Sequence, residues 1–438
     1  MATLISTYVG KLRETLQTAS LRHYKEISLG EMAFCFTFYC LLMVLFPTEP
    51  PDDLLRHMKA YTYSYDYRQM WPYSPGVPGF NMYYLFDAFA GSIHQLLGPN
   101  GFVILQILVF LLYGGAVYWL LKDATSRNWR FTLTMIILSL VFYRLFLARP
   151  ATFEGGFCLL GLAACAEDRV KPWMHFVFGC LMASFYYLFF LYLIPLAFYR
   201  RAYIASLLCG VAGWLHYGGG EYVRVVTDVF NFSSSRDGIQ IAETQSIVAG
   251  FMPVLFVMIP VLIYWRNDIR KLFVAGWFCL SNQVRYLEVV LPILASYSKY
   301  CNFKWSQTAV ALIVLSLCFF RPITKPEDSW IALKDVVPPG SRILCLDSDS
   351  MFKMVYGNER LRIAPSMEVA WDTPEVRKQI LAAKADGKLV AGMNEQKRFD
   401  FVVESDLKEI PKGVELYRIS GKYRIWKPVS SLRFEGGV

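Results

Sequence analysis

Long unbroken apolar runs constrain this chain more than anything else in it. Residues 29–47 and 101–121 are nearly free of charge, and comparable runs recur at 131–148, 173–199, 202–217, 246–264 and 306–320. About 20 apolar residues in a helix cross a hydrocarbon core of roughly 30 Å, and lipid leaves no alternative but helices or a closed barrel. The runs do not alternate polar with apolar, so strands are excluded and helices remain. Composition agrees: 55% of the 438 residues are hydrophobic and only 18% are charged, too apolar for a soluble globular chain. The fold class is therefore a polytopic α-helical membrane protein.

Basic residues orient it. Lys11, Arg13, Arg22 and Lys25 precede the first run and place residues 1–28 in the cytoplasm as an amphipathic surface segment, with no cleavable signal expected. Lys122, Arg127 and Arg130, then Lys171, Arg200 and Arg201, then Arg266, Arg270 and Lys271, mark further inner turns. These turns account for the net charge of +9 without nucleic acid. The 173–199 run ends at Arg200-Arg201, which a pair of short helices turning near 184–187 satisfies better than one tilted span. Counted through, residues 29–322 hold about eleven transmembrane helices, with outer loops at 48–100 and 218–245 and the C-terminus outside. Residues 81–98 read as an amphipathic helix lying on the membrane. Eight of the ten cysteines lie in apolar runs, Cys301 in a basic connection and Cys345 alone near the C-terminus, so neither a disulfide framework nor a zinc site is expected.

From residue 326 the composition changes to that of a soluble α/β domain, expected outside the cytoplasm. Residues 342–346 and 399–403 read as buried parallel strands, 373–386 as a helix, and 414–418 with 422–426 as a hairpin around Ser420-Gly421. There is no phosphate loop, dinucleotide fingerprint, triad spacing or internal repeat.

The stretch between the first two runs concentrates the chemistry. Residues 61–80 hold one acid, Asp66, among five tyrosines, one tryptophan, one arginine and three prolines. Either this is an interfacial aromatic belt, or it is a folded cap that presents Asp66. Other charges are expected at the same face: Arg144 and Arg149-Pro150 after the 131–148 run, the charged 218–245 loop, and Arg285 between two helices too short to cross alone. A charge inside an apolar run faces a cavity or snorkels to the headgroups. Arginines grip phosphate oxygens bidentately, and a carboxylate within reach serves as base to a hydroxyl. Displacement at a sugar carbon by that hydroxyl needs one base and a stabilised leaving group. Charge-lined transporters use similar parts.

The order of these parts resembles the GT-C superfamily of membrane glycosyltransferases, which use polyprenyl-phosphate-linked sugars outside the cytoplasm. Tyr65-Asp66-Tyr67 followed by Pro72, Val77 and Pro78 is similar to the acidic first-loop motif of the dolichol-phosphate-mannose-dependent mannosyltransferases, and implies that Asp66 is the catalytic base. Arg149-Pro150 with Phe153 resembles an Arg-Pro pair found after an early span in these families. Arg285-Tyr286-Leu287 with Pro292 resembles their late motif, whose arginine lies near the donor phosphate. Two departures stand out: Tyr67 replaces a histidine, and no Asp-Glu or Asp-x-Asp pair is present, which leaves the sugar and any divalent metal open. The resemblance implies transfer of one sugar from a polyprenyl-phosphate donor to a glycan, lipid or protein hydroxyl, with inversion, at a bacterial inner membrane with the site facing outward. Asp66 would be the base and Arg285, Arg149 and Arg144 the phosphate ligands. Tyr65, Tyr67, Arg68, His216, Glu221 and Tyr286 are further candidate contacts. No cofactor and no metal ligand set is indicated. A lipid-linked glycan flippase and a non-catalytic envelope scaffold are the alternatives. Among other polar residues, Asp87 and His94 sit on the amphipathic helix, Glu154 is placed to pair with Arg149, and Lys353 with Asp347 and Asp349 lines a strand end. Asn231-Phe232-Ser233 fits a glycosylation sequon.

Overall fold

The computed structural model describes residues 33, 37, 40, 53–72, 74, 76–122, 127–167, 170–234, 274, 276–278, 286–296, 330–345, 348–364, 399–405 and 414–428. Arg285, residues 373–386 and the 246–264 and 306–320 runs lie outside them. The chain divides into two compact units. A helical unit takes Met1–Pro47, Leu105–Gly210 and Asp237–Arg321; a sheet-bearing unit takes Thr48–Ile104, Val211–Arg236 and Pro322–Val438.

In the sheet-bearing unit, α1 (Asp53–Lys59) leads through a 3-10 turn (Ala60–Tyr63) to the single-turn α2 (Tyr67–Met70) and then to α3 (Tyr84–Leu97). Asp87, Ala90, Gly91 and His94 form the buried stripe of α3, at the i, i+3, i+4, i+7 spacing of one helix face, and α1 packs beside it. A short 3-10 turn (Gly98–Asn100) joins α3 to α4 (Gly101–Leu120). Tyr84–Leu120 is the one helical run among the described residues long and apolar enough to cross a membrane. The count of eleven spans therefore remains an expectation.

Two of the long apolar runs are divided between shorter helices. The 131–148 run divides at Val141 into α5 (Arg127–Leu140) and α6 (Phe142–Leu147). The apolar α7 (Pro150–Cys165) and α8 (Pro172–Phe185) each open on a proline, which costs nothing at a first helical position. Tyr186 turns extended (φ −147°, ψ 133°) and ends α8, and α9 (Phe190–Ala197) resumes beyond it, so the 173–199 run is two short helices. Inner turns expected on one side of the membrane contact one another: Trp119 of α4 and Lys122 just beyond it both bond Glu167 after α7, and Arg200 donates to the Cys165 carbonyl at 3.0 Å.

One expected loop is largely helix. Residues 218–245 read as an outer loop, yet α10 (Ala202–Ser234) runs through most of it, broken only where Gly219 adopts φ 56°, ψ −143°. The charges that suggested a loop sit at helical spacing: Arg224 pairs with Glu221 (i,i+3) and Asp228 (i,i+4) at 3.3 Å each. Further along lies α11 (Leu287–Ala295), which packs against α7 in the helical unit.

The C-terminal segment folds as a five-stranded sheet ordered β2-β1-β3-β5-β4. Its strands are β1 (Arg342–Cys345), β2 (Arg362–Ala364), β3 (Phe401–Glu404), β4 (Val414–Ser420) and β5 (Tyr423–Pro428), with α12 (Ser348–Gly357) crossing over between β1 and β2. β1 runs parallel to β2 and β3, and the apolar runs 343–345 and 401–403 are buried, as interior parallel strands require. β4 and β5 form the antiparallel hairpin, its turn at Gly421 with φ 59°. The sheet does not stand apart from the first loop. Within the same unit α12 packs on α1, the Tyr356 ring lies 5.1 Å from that of His94, and Lys59 sits 5.7 Å over Tyr356.

Asp400 clasps the start of β1, accepting from Arg342 Nη2 at 2.7 Å and from its backbone N–H at 2.8 Å. Desolvation alone would raise the Asp400 carboxyl, but these hydrogen bonds and the Arg342 charge outweigh it and hold the carboxyl below its ordinary value. A depressed folded value means stability present above about pH 4 and lost as pH falls further. The gap in thermal midpoint between parent and Asp400→Asn is therefore expected to close below about pH 4. It stays small throughout, under about 1 kcal/mol, because both side chains are 37% exposed and solvent screens the pair.

Candidate functional site

Asp66 stands at the N-cap of α2 with extended backbone (φ −103°, ψ 105°), and its Oδ1 accepts the Arg68 N–H at 2.9 Å. This is the ordinary use of an aspartate at a helix start. The Arg68 guanidinium also lies on the carboxylate, Nε at 3.2 Å from Oδ1 and Nη2 at 3.4 Å from Oδ2. Asp66 keeps 30% of its side chain exposed and Arg68 57%, so the acid is anchored yet open to a ligand. The turn leading to it is strained: Ser64 and Tyr65 take φ of 53° and 60°, the left-handed region. Each such non-glycine residue costs on the order of 1–3 kcal/mol. Backbone bonds from Tyr65 N to Ala60 O (3.0 Å) and from Asp66 N to Tyr63 O (2.9 Å) close the turn.

Beneath Asp66 lies a buried polar network. Asp87 of α3 is fully buried; its Oδ2 accepts from the Tyr67 hydroxyl at 2.6 Å and from Asn81 Nδ2 at 2.7 Å, and its Oδ1 meets His57 Nδ1 at 2.5 Å. Arg56, also fully buried, lies 5.2, 5.8 and 5.0 Å from the ring centroids of Tyr67, Trp71 and Tyr83. A buried carboxylate is tolerated when donors surround it, and removing one such donor costs about 1–3 kcal/mol or more. The aromatic loop is thus a packed structure rather than a loose belt.

The second half of the loop is held by α10. Glu221 Oε2 accepts the Gly79 N–H at 2.8 Å, and Arg224 Nη2 donates to the Gly76 carbonyl at 3.3 Å. Phe80 packs edge-on to Trp214, Tyr217 and Tyr222. Glu221 therefore acts on the loop backbone.

The helical unit carries its own charged cluster. Arg144 of α6 is buried and its Nε donates to Glu288 Oε2 of α11 at 3.3 Å. The Tyr113 hydroxyl donates to the Glu288 carbonyl, and Thr152 Oγ1 to the Arg144 carbonyl at 3.3 Å. Arg149 is the N-cap residue of α7, its own carbonyl accepting from the Thr152 and Phe153 N–H groups. Glu154 lies fully buried one turn on, and both its carboxylate oxygens lack a hydrogen-bond partner among the described residues. The expected pairing of Glu154 with Arg149 is thus not made: Arg149 stands outside α7 with extended backbone (φ −79°, ψ 160°), while Glu154 points from within the helix into buried surroundings.

The remaining candidates scatter. Tyr65 stacks edge-on to Tyr84 at 5.7 Å, Tyr67 is buried on Asp87, and His216 is exposed on α10. Tyr286 is buried against Phe278 and Tyr192. Arg285 lies outside the described residues, as does Asp347. Lys353 donates to the Tyr423 hydroxyl at 2.7 Å, bracing α12 on β5.

No family model matches this chain, and no curated protein does. Among solved structures, ArnT from Cupriavidus metallidurans, crystallised bound to undecaprenyl phosphate, matches with a TM-score of 0.53, across 91% of this chain and 97% of that one. The fold is similar to that of ArnT. At 11% identity the likeness to ArnT is one of architecture alone, helices with a small C-terminal sheet.

An ArnT-like fold says nothing of which side chains act, and here the residue reading missed the most. His57, Arg56, Asn81 and Glu288 were not singled out. One signal was available: Asp87 and His94, seven apart, fall on the apolar stripe of an amphipathic helix, where a polar side chain must find a buried partner. The identity of that partner, His57 thirty residues earlier, had no signal in the spacing.

Proposed function

We propose that this chain is an inverting glycosyltransferase of the membrane. It moves one sugar from a polyprenyl-phosphate donor to an acceptor hydroxyl on the extracytoplasmic side. The observation that carries the reading is the likeness, over nearly the whole of both chains, to ArnT, a protein crystallised with a polyprenyl phosphate bound. Asp66 supplies the chemistry, being a half-open carboxylate on a packed loop. In this reading Asp66 takes the proton of the acceptor hydroxyl, and the hydroxyl oxygen attacks the anomeric carbon. The carbon–oxygen bond to phosphate breaks, and the polyprenyl phosphate leaves with the electron pair. One displacement inverts the anomeric centre. Arg285, Arg149 and Arg144 bear the negative charge that builds on the leaving phosphate. Residues 1–28 form a cytoplasmic surface segment, 29–322 the transmembrane domain, and 326–438 an extracytoplasmic cap.

The test is purified protein in detergent with a labelled polyprenyl-phosphate sugar and envelope extract as acceptor. Label should move from the lipid fraction to glycan, lipid or protein; label that stays with the lipid in every acceptor fraction rejects transfer. Arg285→Ala is expected to raise the donor KM about tenfold or more while the acceptor KM stays within about twofold. Equal loss for both substrates argues against a phosphate contact.

A further inference from the structure

The buried network around Asp87 takes no part in the displacement itself, yet its place in the fold gives it a task. We infer that Asp87, with His57 and Asn81, is the positioning residue for Asp66 and acts through Tyr67. The inference rests on the reading of Asp66 as the base.

Asp66 and Tyr67 share a rigid peptide plane, so fixing one fixes the other's Cα to within a bond's geometry. Asp66 lies at the surface, while Tyr67 is buried with its hydroxyl 2.6 Å from Asp87 Oδ2. The ring packs at a tilt against Trp71 and Tyr83, with centroids 5.4 and 6.4 Å away. Local structure alone could not hold this geometry. The α2 helix has four residues, too few to be stable by itself, and the two residues before Asp66 sit in left-handed backbone that relaxes unless the surroundings oppose it. The opposing anchor is Asp87, carried on the 14-residue α3. His57 ties the same carboxylate to α1, and Asn81 both donates to it and caps the Tyr83 N–H at 2.7 Å. One buried carboxylate thus locks α1, α2 and α3 at the point from which Asp66 projects.

Tyr67→Phe tests this directly, since it keeps the ring and removes the hydroxyl, with its 2.6 Å bond to Asp87 and its 3.4 Å contact with His57 Nδ1. Hydrogen exchange of the 64–69 amides is expected to quicken about tenfold or more while exchange in the C-terminal strands is unchanged. The turnover number should fall about 10- to 100-fold with both KM values within about threefold, because the base is displaced and not the binding surface. Asp87→Asn, which retains one acceptor oxygen, should fall between parent and Tyr67→Phe in both measurements. In the double variant Tyr67→Phe, Asp66→Asn the loss should equal that of Asp66→Asn alone. A bracing role without positioning predicts lower melting and yield but parental turnover per folded molecule, and that result overturns the inference. So does unchanged exchange at 64–69. Failure of the underlying reading looks different: Asp66→Asn itself retains transfer, and the exchange measurement still decides whether Asp87 orders the turn.

Discussion

Asp66→Asn is expected to leave a protein that inserts and melts like its parent and has lost about 10²- to 10⁴-fold in transfer. The substitution separates chemistry from folding unusually well at this position. Asparagine caps a helix as well as aspartate does, so the bond from the Arg68 N–H survives. The Arg68 ion pair is lost, but with side chains 57% and 30% exposed it contributes less than about 1 kcal/mol. Asp66→Ala would confound the result, because losing the cap costs about 1 kcal/mol in a turn already strained at Ser64 and Tyr65. The measurement is turnover per folded molecule, with melting recorded on the same sample. Parental turnover in Asp66→Asn removes Asp66 as the base and with it the proposed displacement.

The largest expected loss of stability lies in the helical unit. Glu288→Ala removes the carboxylate that pairs with the buried Arg144 guanidinium, and breaking a buried pair in this way costs about 3–5 kcal/mol. That is a large share of the roughly 5–15 kcal/mol by which domains are stable. The variant should melt far below the parent in detergent or fail to accumulate. Replacing both partners with apolar residues of similar size (Arg144→Met with Glu288→Leu) should recover most of the melting temperature, since neither charge is then stranded. The recovered double variant also decides what Arg144 does. With fold restored, loss of donor use marks a guanidinium that carries phosphate. Parental donor use marks an arginine whose task is to hold α6 to α11, and a melting temperature unchanged by Glu288→Ala would show that the pair contributes nothing.

How far residue order alone reaches can be followed at particular places. The divided run at 173–199 was legible because Arg200-Arg201 demanded one side of the membrane and the run length demanded more than one span; Tyr186 turns the chain where those demands meet. The hairpin at Ser420-Gly421 and the buried, parallel character of β1 and β3 were legible from strand composition; that the two are neighbours was not. Within the expected 218–245 loop, residues 218–234 are helical: glycine and charge both signal loops in composition, whereas on a helix the same charges pair three and four apart. Asp66 could be picked out as the sole acid of residues 61–80, but not the turn that presents it.

Periodicity, charge at helix ends and turn chemistry are local properties, written within a few residues of where they act, and they gave the expectation of a membrane chain, the break in the 173–199 run and four of the five strands, β2 excepted. Partnership across the chain is not local. That Asp87 meets His57 and Tyr67, that Glu221 holds the backbone at Gly79, and that Glu288 neutralises Arg144 follow from which helices pack together. Only the tertiary structure decided those, because a buried charge accepts whatever donor the packing brings within about 3 Å, and sequence separation places no limit on which one that is.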